Sequence, residues 1–170
     1  MNGIMNDSET LLMKGIQEQM RHRDPIPNVP YQSIEDYVLA NGEFFPLATR
    51  SAEWKRAVAR TCFATSQKLA LKSGLTYCEG YALALGVPFL HGWCLDNQGR
   101  AIDVTWEEAG DAYFGVKFDL EQVRRHRGKK RWAGSLLDVP PAFPRIYENR
   151  FQTCSQRSRA SASPIWSGGS

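Results

Sequence analysis

Three residues of this chain carry side chains that could together activate a sulfur nucleophile. Cys62 supplies a thiol, His91 an imidazole and Asp103 a carboxylate, in that order along the sequence. In a site of this kind the imidazole withdraws the thiol proton, and the carboxylate orients and stabilises the imidazole. The residue types therefore predict a thiol-dependent catalytic triad, on condition that the fold brings the three together.

The spacing of His91 and Asp103 makes the triad depend on one hairpin. Strand alternation puts His91 and Trp93 on the same face. A three-residue loop over 97–99, with Gly99 in the left-handed conformation, would pair Trp93 with Asp103 and make the imidazole and carboxylate diagonal neighbours. A two-residue loop would place them on opposite faces. The triad thus requires the longer loop.

The surroundings of Cys62 allow two interpretations. Thr61 is an acceptable N-cap, and a helix that begins at Cys62 would place the sulfur in the first turn, where the helix dipole and free amides favour a thiolate and an oxyanion. The apolar period, however, runs from Trp54 to Leu69 without a break. One continuous helix would make Cys62 an ordinary buried cysteine.

The remaining pattern predicts an α+β fold in which helices pack against an antiparallel sheet. The N-terminal helix is expected to be capped by Asp7 or Ser8, and the second helix by Ser33. Predicted helices cover residues 8–22, 33–41, 51–74 and 119–127. Predicted strands cover residues 76–85, 89–95 and 101–106, with a turn over 86–88 between the first two.

Composition favours one domain over residues 1–150, with a helical part over 1–50, a triad-bearing core over 51–118 and a disordered Ser- and Gly-rich tail over 151–170. The chain has 170 residues, of which 42% are hydrophobic. No apolar run is long enough for a membrane span, and the start is polar, so we expect a cytoplasmic protein without membrane contact. The four cysteines lack a CxxC pair, which favours reduced thiols over disulfides.

Several short motifs around the three candidate residues resemble the transglutaminase-like branch of the papain-like cysteine enzymes, over about a third of the chain. The motif residues are Cys62, Tyr77-Cys78-Glu79-Gly80-Tyr81-Ala82, His91-Gly92-Trp93, Asp96-Asn97-Gln98-Gly99, Ile102-Asp103-Val104-Thr105-Trp106 and Tyr113-Phe114-Gly115-Val116.

The resemblance implies a papain/transglutaminase-like core in which Cys62 is the nucleophile, His91 the general base and acid, and Asp103 the residue that orients the imidazole. It implies attack on a protein or peptide amide through a thioester, most simply hydrolysis by a peptidase, amidase or deamidase, or crosslinking where an amine is the acceptor. A papain-type oxyanion glutamine has no counterpart in residues 53–61, so the indole N–H of Trp54 is the candidate second donor.

Four residues are candidates for substrate binding: Trp54, Glu79, Trp93 and Tyr113. The aromatic residues could line a substrate groove, but large aromatic side chains also supply most of a core. A carboxylate within an apolar strand is costly unless it is paired. Glu79 could therefore bind substrate, pair with an arginine or lie at an exposed edge.

A metal site and a cofactor are not expected. Cys62, Cys78, His91 and Cys94 are potential zinc ligands within a short stretch. Structural zinc sites, however, use ligands paired at short spacing, and His91 and Cys94 should point to opposite faces of their strand.

A basic run supplies the alternative function, a non-catalytic binding or inhibitor protein that holds a protein or nucleic-acid partner on the same fold. Clustered cations can contact phosphates, but the net charge of only +3 favours a solvated loop face. The run consists of Arg124, Arg125, Arg127, Lys129, Lys130 and Arg131.

Overall fold

The computed structural model describes residues 5–21, 30–48, 61–129 and 134–138. Within these ranges the chain forms four helices and one five-stranded antiparallel sheet of order β1-β5-β2-β3-β4, which confirms the predicted α+β class. The helices are α1 (Asp7–Met20), α2 (Ile34–Asn41), α3 (Cys62–Ser73) and α4 (Leu120–Lys129). The strands are β1 (Glu43–Phe45), β2 (Thr76–Ala84), β3 (Val87–Leu95), β4 (Ala101–Ile102) and β5 (Ala112–Phe118). None of the helices in these ranges is long and apolar enough to cross a membrane.

The first two helices begin at capping residues. The cap of α1 is Asn6, not Asp7 or Ser8 as predicted, because Asn6 and Glu9 exchange reciprocal side chain to backbone hydrogen bonds of 2.9 and 3.0 Å. Ser33 caps α2 as predicted, and its hydroxyl accepts a backbone N–H at 3.2 Å. The predicted start of a helix at residue 51 and the predicted tail over 151–170 lie outside the described residues.

Two strand predictions need correction. The turn between β2 and β3 consists of Leu85 and Gly86 alone, both with positive φ, so Ala84 pairs directly with Val87. The strand predicted over 101–106 ends at residue 102, because the Asp103 carboxylate binds backbone amides that follow it and bends the chain. The sequence prediction also missed β1 and β5, which pair with each other at the far side of the sheet.

The sheet separates two apolar clusters. On one face, buried side chains of all four helices pack with alternate residues of β2 and β5, including Tyr77, Tyr81 and Phe114. The opposite face carries a smaller cluster around Trp93 and Tyr113. We call the first the helix face. We call the second the histidine face, because His91 lies two residues before Trp93 in β3 and so has its side chain on the same side of the sheet.

Candidate thiol active site

The hairpin that carries His91 and Asp103 has the predicted three-residue loop. Asp96 donates its backbone N–H to the carbonyl of Arg100 at 3.0 Å, and Gly99 is left-handed with φ 75°. Cys94 pairs with Ile102, and this register continues to bring Trp93 opposite Asp103. The prediction of the longer loop is confirmed, and with it the placement of His91 and Asp103 as neighbours.

The three candidate residues meet at one point. The Nε2 atom of His91 lies 2.7 Å from Oδ2 of Asp103, and both side chains are buried. The Cys62 side chain lies near enough to the imidazole to contribute to the raised pKa of His91. Since Nε2 is engaged by the carboxylate, Nδ1 is the nitrogen that is left for the thiol.

Asp103 is held by donors on both of its carboxylate oxygens. Oδ1 accepts the Thr105 backbone N–H at 2.8 Å, the Thr105 hydroxyl at 2.9 Å and the Trp106 N–H at 3.3 Å. Oδ2 accepts the Tyr113 hydroxyl at 2.8 Å in addition to His91. The carboxylate therefore has a fixed orientation, and the imidazole that it binds inherits that orientation.

The charges of this buried pair support each other. Burial alone would lower the pKa of His91, but the hydrogen bonds with Asp103 and Cys62 outweigh it and raise the pKa to about 9. Burial alone would raise the pKa of Asp103, but His91 and the donors around the carboxylate lower it to about 2. Asp103 is thus a stable anion that favours the imidazolium form of His91.

Cys62 is the first residue of α3, as one of the two sequence interpretations predicted. Thr61 has non-helical backbone angles (φ −119°, ψ 24°), and the first helical bond joins the Thr65 N–H to the Thr61 carbonyl at 2.8 Å. The first turn contains no acidic residue. The amides that begin a helix lack partners within the helix and carry its positive dipole end, so they can stabilise an anion at Cys62.

Gly92 allows α3 to reach the histidine strand. A Cβ at this position would lie 2.9 Å from the Tyr77 hydroxyl and 3.3 Å from the Cα of Phe63. The Ser66 hydroxyl also donates to the Gly92 carbonyl at 2.9 Å. The start of α3 therefore meets β3 at Gly92, next to His91.

Cys62 differs from the other described cysteines in its exposure. Cys62 is partly exposed, whereas Cys78 and Cys94 are buried. Burial raises the pKa of Cys78 and Cys94, the latter to about 12. Cys94 donates to the Ser66 carbonyl on the helix face, away from His91. Among the described residues no group of three or more His, Cys, Asp or Glu side chains could hold a metal ion.

Trp106 belongs to the site and was not among the predicted site residues. Its indole stacks on the His91 imidazole with ring centroids 4.1 Å apart and an interplanar angle of 28°. The stack covers one face of the imidazole and restricts its rotation. A signal was present in the sequence, because Trp106 follows Asp103 by three residues in the motif Asp103-Val104-Thr105-Trp106.

The predicted substrate-binding aromatics have other surroundings. Trp93 and Tyr113 are both 0% exposed, and their rings pack edge to face at 5.2 Å. Tyr113 donates its hydroxyl to Asp103 and so helps to fix the carboxylate. Trp54 lies outside the described residues.

Glu79 lies on the helix face, opposite His91 and Asp103. Its buried carboxylate accepts the Tyr77 hydroxyl at 2.6 Å and the Leu136 N–H at 2.7 Å on Oε1, and the Ser135 hydroxyl at 2.5 Å and the Leu137 N–H at 3.2 Å on Oε2. Desolvation raises its pKa, although the hydrogen bonds oppose that shift. The expectation of an exposed edge is wrong, because Glu79 is fully buried. Its partners among the described residues are neutral donors, through which it anchors residues 134–138.

The basic run is only partly described. Arg125 pairs with Glu121 within α4 at 2.5 Å, and Arg127 donates to the Ala64 carbonyl at 3.1 Å. Arg124 is exposed. The side chain of Lys129, and all of Lys130 and Arg131, lie outside the described residues. Two of the described arginines thus serve the protein's own structure, and a nucleic-acid role stays a prediction.

Comparison with protein-family models, with curated proteins and with solved structures finds no match to this chain. The case for a function therefore depends on the geometry of Cys62, His91 and Asp103 and on the chemistry that their side chains support.

Proposed function

We propose that this protein is a thiol-dependent acyl-transfer enzyme with a papain/transglutaminase-like core, acting on a protein or peptide amide and most simply hydrolysing it. One observation carries the proposal. His91 is held by Asp103 at 2.7 Å through Nε2, which leaves its other nitrogen for a nearby, partly exposed cysteine at a helix start. These are the relations that an activated thiol requires.

The reaction would proceed in two steps, formation of a thioester and its hydrolysis. His91 Nδ1 takes the Cys62 thiol proton as the sulfur attacks the carbonyl carbon of the amide, and the oxyanion forms near the first amides of α3. His91 then gives that proton to the amine nitrogen, the C–N bond breaks, and a thioester remains. Water attacks the thioester while His91 accepts one of its protons, and the S–C bond breaks as His91 gives that proton to the sulfur, which leaves a carboxylic acid and the free thiol. An amine in place of water would give a new amide.

The surroundings of the pair favour this chemistry over a purely structural role. Cys62 is partly exposed, unlike Cys78 and Cys94, as a residue that meets a substrate must be. Asp103 and Trp106 fix the imidazole from its edge and its face. The helix start supplies positive potential without a competing acid in the first turn. The thiol must stay reduced, which fits the predicted cytoplasmic location.

Alkylation of the three described cysteines tests the proposal. The full chain is treated with iodoacetamide across a range of pH, and the labelled cysteine is located by peptide mass spectrometry, in the native protein and in His91→Ala. We expect selective labelling of Cys62 near neutral pH, lost in His91→Ala, because the imidazole removes the thiol proton. Cys78 and Cys94 are internal controls, since burial protects both.

If Cys62 reacts no faster than Cys78 and Cys94, the catalytic proposal is wrong, and the alternative of a non-catalytic binding protein is favoured. If Cys62 is selectively reactive, a screen of peptide amides follows, with Cys62→Ala as the inactive reference. Release of ammonia or of an amine would then distinguish deamidation from peptide cleavage.

A further inference from the structure

Apolar side chains are exposed along the hairpin that leads to His91. Leu85 is 97% exposed, Val87 48% and Phe89 46%. Val87 and Phe89 alternate with His91 on the histidine face of β3. We call Leu85, Val87 and Phe89 the apolar strip.

The tip of the apolar strip is locally unfavourable. Leu85 has a positive φ of 52°, a conformation that branched and bulky residues avoid, in a two-residue turn where Asn, Asp or Gly is preferred. Its side chain is also almost completely exposed to water. Neither the turn nor the core gains from a leucine at this position, which suggests that the side chain serves an intermolecular contact.

The inner end of the strip reaches the candidate active site. Phe89 packs edge to face against Trp106, with centroids 6.1 Å apart, and Trp106 stacks on His91 at 4.1 Å. Apolar ring contacts therefore continue from Phe89 in the strip, through Trp106, to the imidazole beside Cys62. From residue 87 to residue 91 the extended strand spans about 13 Å, which matches a short extended peptide.

We infer that the apolar strip is the surface that holds the substrate, and that the preferred substrate is an extended peptide with an aromatic or aliphatic side chain next to the reactive amide. This inference rests on the proposed function, because it assigns the strip to the substrate of Cys62. Phe89 is then the residue that determines specificity nearest to the reacting atoms. Val87 and Leu85 contact side chains farther along the peptide.

A second copy of the chain fits the strip less well. A stable dimer interface uses roughly 20 to 30 residues on each side, far more than these three. Pro88 lies within the same stretch of β3 and has no N–H to donate, which disfavours pairing of this edge with a strand of another sheet. Recognition by side chains beside the thiol is the simpler use of the surface.

The test compares two alkylating probes on the full chain, iodoacetamide and N-benzyl iodoacetamide, each of which transfers its acetamide carbon to the sulfur with loss of iodide. The rate constants for Cys62 are divided by those for glutathione, which removes the intrinsic reactivity of each probe. We expect the benzyl probe to be favoured about tenfold, because its ring is buried against Phe89. Phe89→Thr and Val87→Thr should reduce this preference.

Leu47→Ser is the matched control, because Leu47 is 42% exposed and is paired with Ala101, near the opposite end of β3. Leu47→Ser should leave the preference of Cys62 for the benzyl probe unchanged. Val87→Thr preserves the β-branched shape, so its result stands even if Phe89→Thr displaces Trp106. Sedimentation of each variant at the same protein concentrations reports the oligomeric state.

The outcomes separate the two proposals. Selective, His91-dependent labelling of Cys62 without a preference for the benzyl probe would overturn the strip as a substrate surface and leave the proposed function standing. Absence of selective labelling by either probe would overturn both. A dimer that Phe89→Thr converts to a monomer, with the probe preference unchanged, would assign the strip to a second copy instead.

Discussion

Two buried carboxylates on opposite faces of the sheet have opposite electrostatic environments. Asp103 faces an imidazole at 2.7 Å, and its pKa is lowered to about 2. Glu79 accepts four hydrogen bonds from neutral donors, and desolvation raises its pKa. A carboxylate thus stabilises the charged imidazole of His91 on one face of the sheet and holds residues 134–138 in place on the other.

The contrast shows why burial of an acid does not by itself indicate a catalytic role. Asp103 and His91 lie beside a partly exposed thiol, so a change in their charge can alter the reactivity of that thiol. Glu79 contacts Tyr77 and residues 135–137, and all of its partners are parts of the fold. The partner of a buried acid, and the access to that partner, distinguish the two functions.

The largest effect is expected from Asp103→Asn. An amide has only one acceptor oxygen, so it cannot serve the donors on both sides of Asp103, and it no longer favours the imidazolium form of His91. We expect alkylation of Cys62 by iodoacetamide at about pH 6.5 to fall roughly tenfold to a hundredfold. The rate is measured by mass spectrometry as for the native protein.

The matched control is Asp96→Asn in the same hairpin. Asp96 binds Arg100 at the exposed tip and has no contact with His91 among its described hydrogen bonds. This variant should keep the native alkylation rate. Equal losses in the two variants would show that the hairpin as a whole, and not the carboxylate beside His91, determines the reactivity of Cys62.

The hairpin was predictable from sequence, because the spacing of His91, Asp103 and a glycine in the loop allows only one register that joins the two side chains. The helix start at Cys62 was left open, since the apolar period runs through it and only the backbone of Thr61 shows where the helix begins. The environment of Glu79 could not be predicted. Its donors come mainly from residues 135–137, more than fifty positions away, where no local pattern indicates a partner.

A smaller effect, on stability and not on reactivity, is expected from Glu79→Gln. Each oxygen of Glu79 accepts one backbone N–H, from Leu136 or Leu137, and an amide NH₂ would oppose one of these fixed donors. We expect the free energy of unfolding to fall by about 1–3 kcal/mol, measured by urea denaturation. Cys62 should stay more reactive than Cys94 in the folded variant.

Glu121→Gln provides the comparison for that change. Glu121 pairs with Arg125 on the exposed surface of α4, where water screens the interaction. Its removal should leave the urea midpoint at the native value. A loss of stability as large as that of Glu79→Gln would mean that charge on α4, and not the buried anchor of residues 134–138, stabilises this part of the molecule.

The contributions of the two carboxylates to stability should change with pH in opposite directions. Asp103 has a folded pKa of about 2, below its ordinary value of 3.8, so its contribution is present above about pH 3.8 and is lost as the pH falls through about 2. The pKa of Glu79 is raised above 4.5, so its contribution is present below about pH 4.5 and is lost as the pH rises through the raised value. The measurement is urea unfolding at matched pH of the native protein, Asp103→Asn and Glu79→Gln. It gives the free energy of unfolding of each variant relative to the native protein. We expect the native advantage over Asp103→Asn to shrink on acidification, and the native advantage over Glu79→Gln to grow. If both differences change in the same direction, the two faces of the sheet do not hold their carboxylates in opposite electrostatic environments.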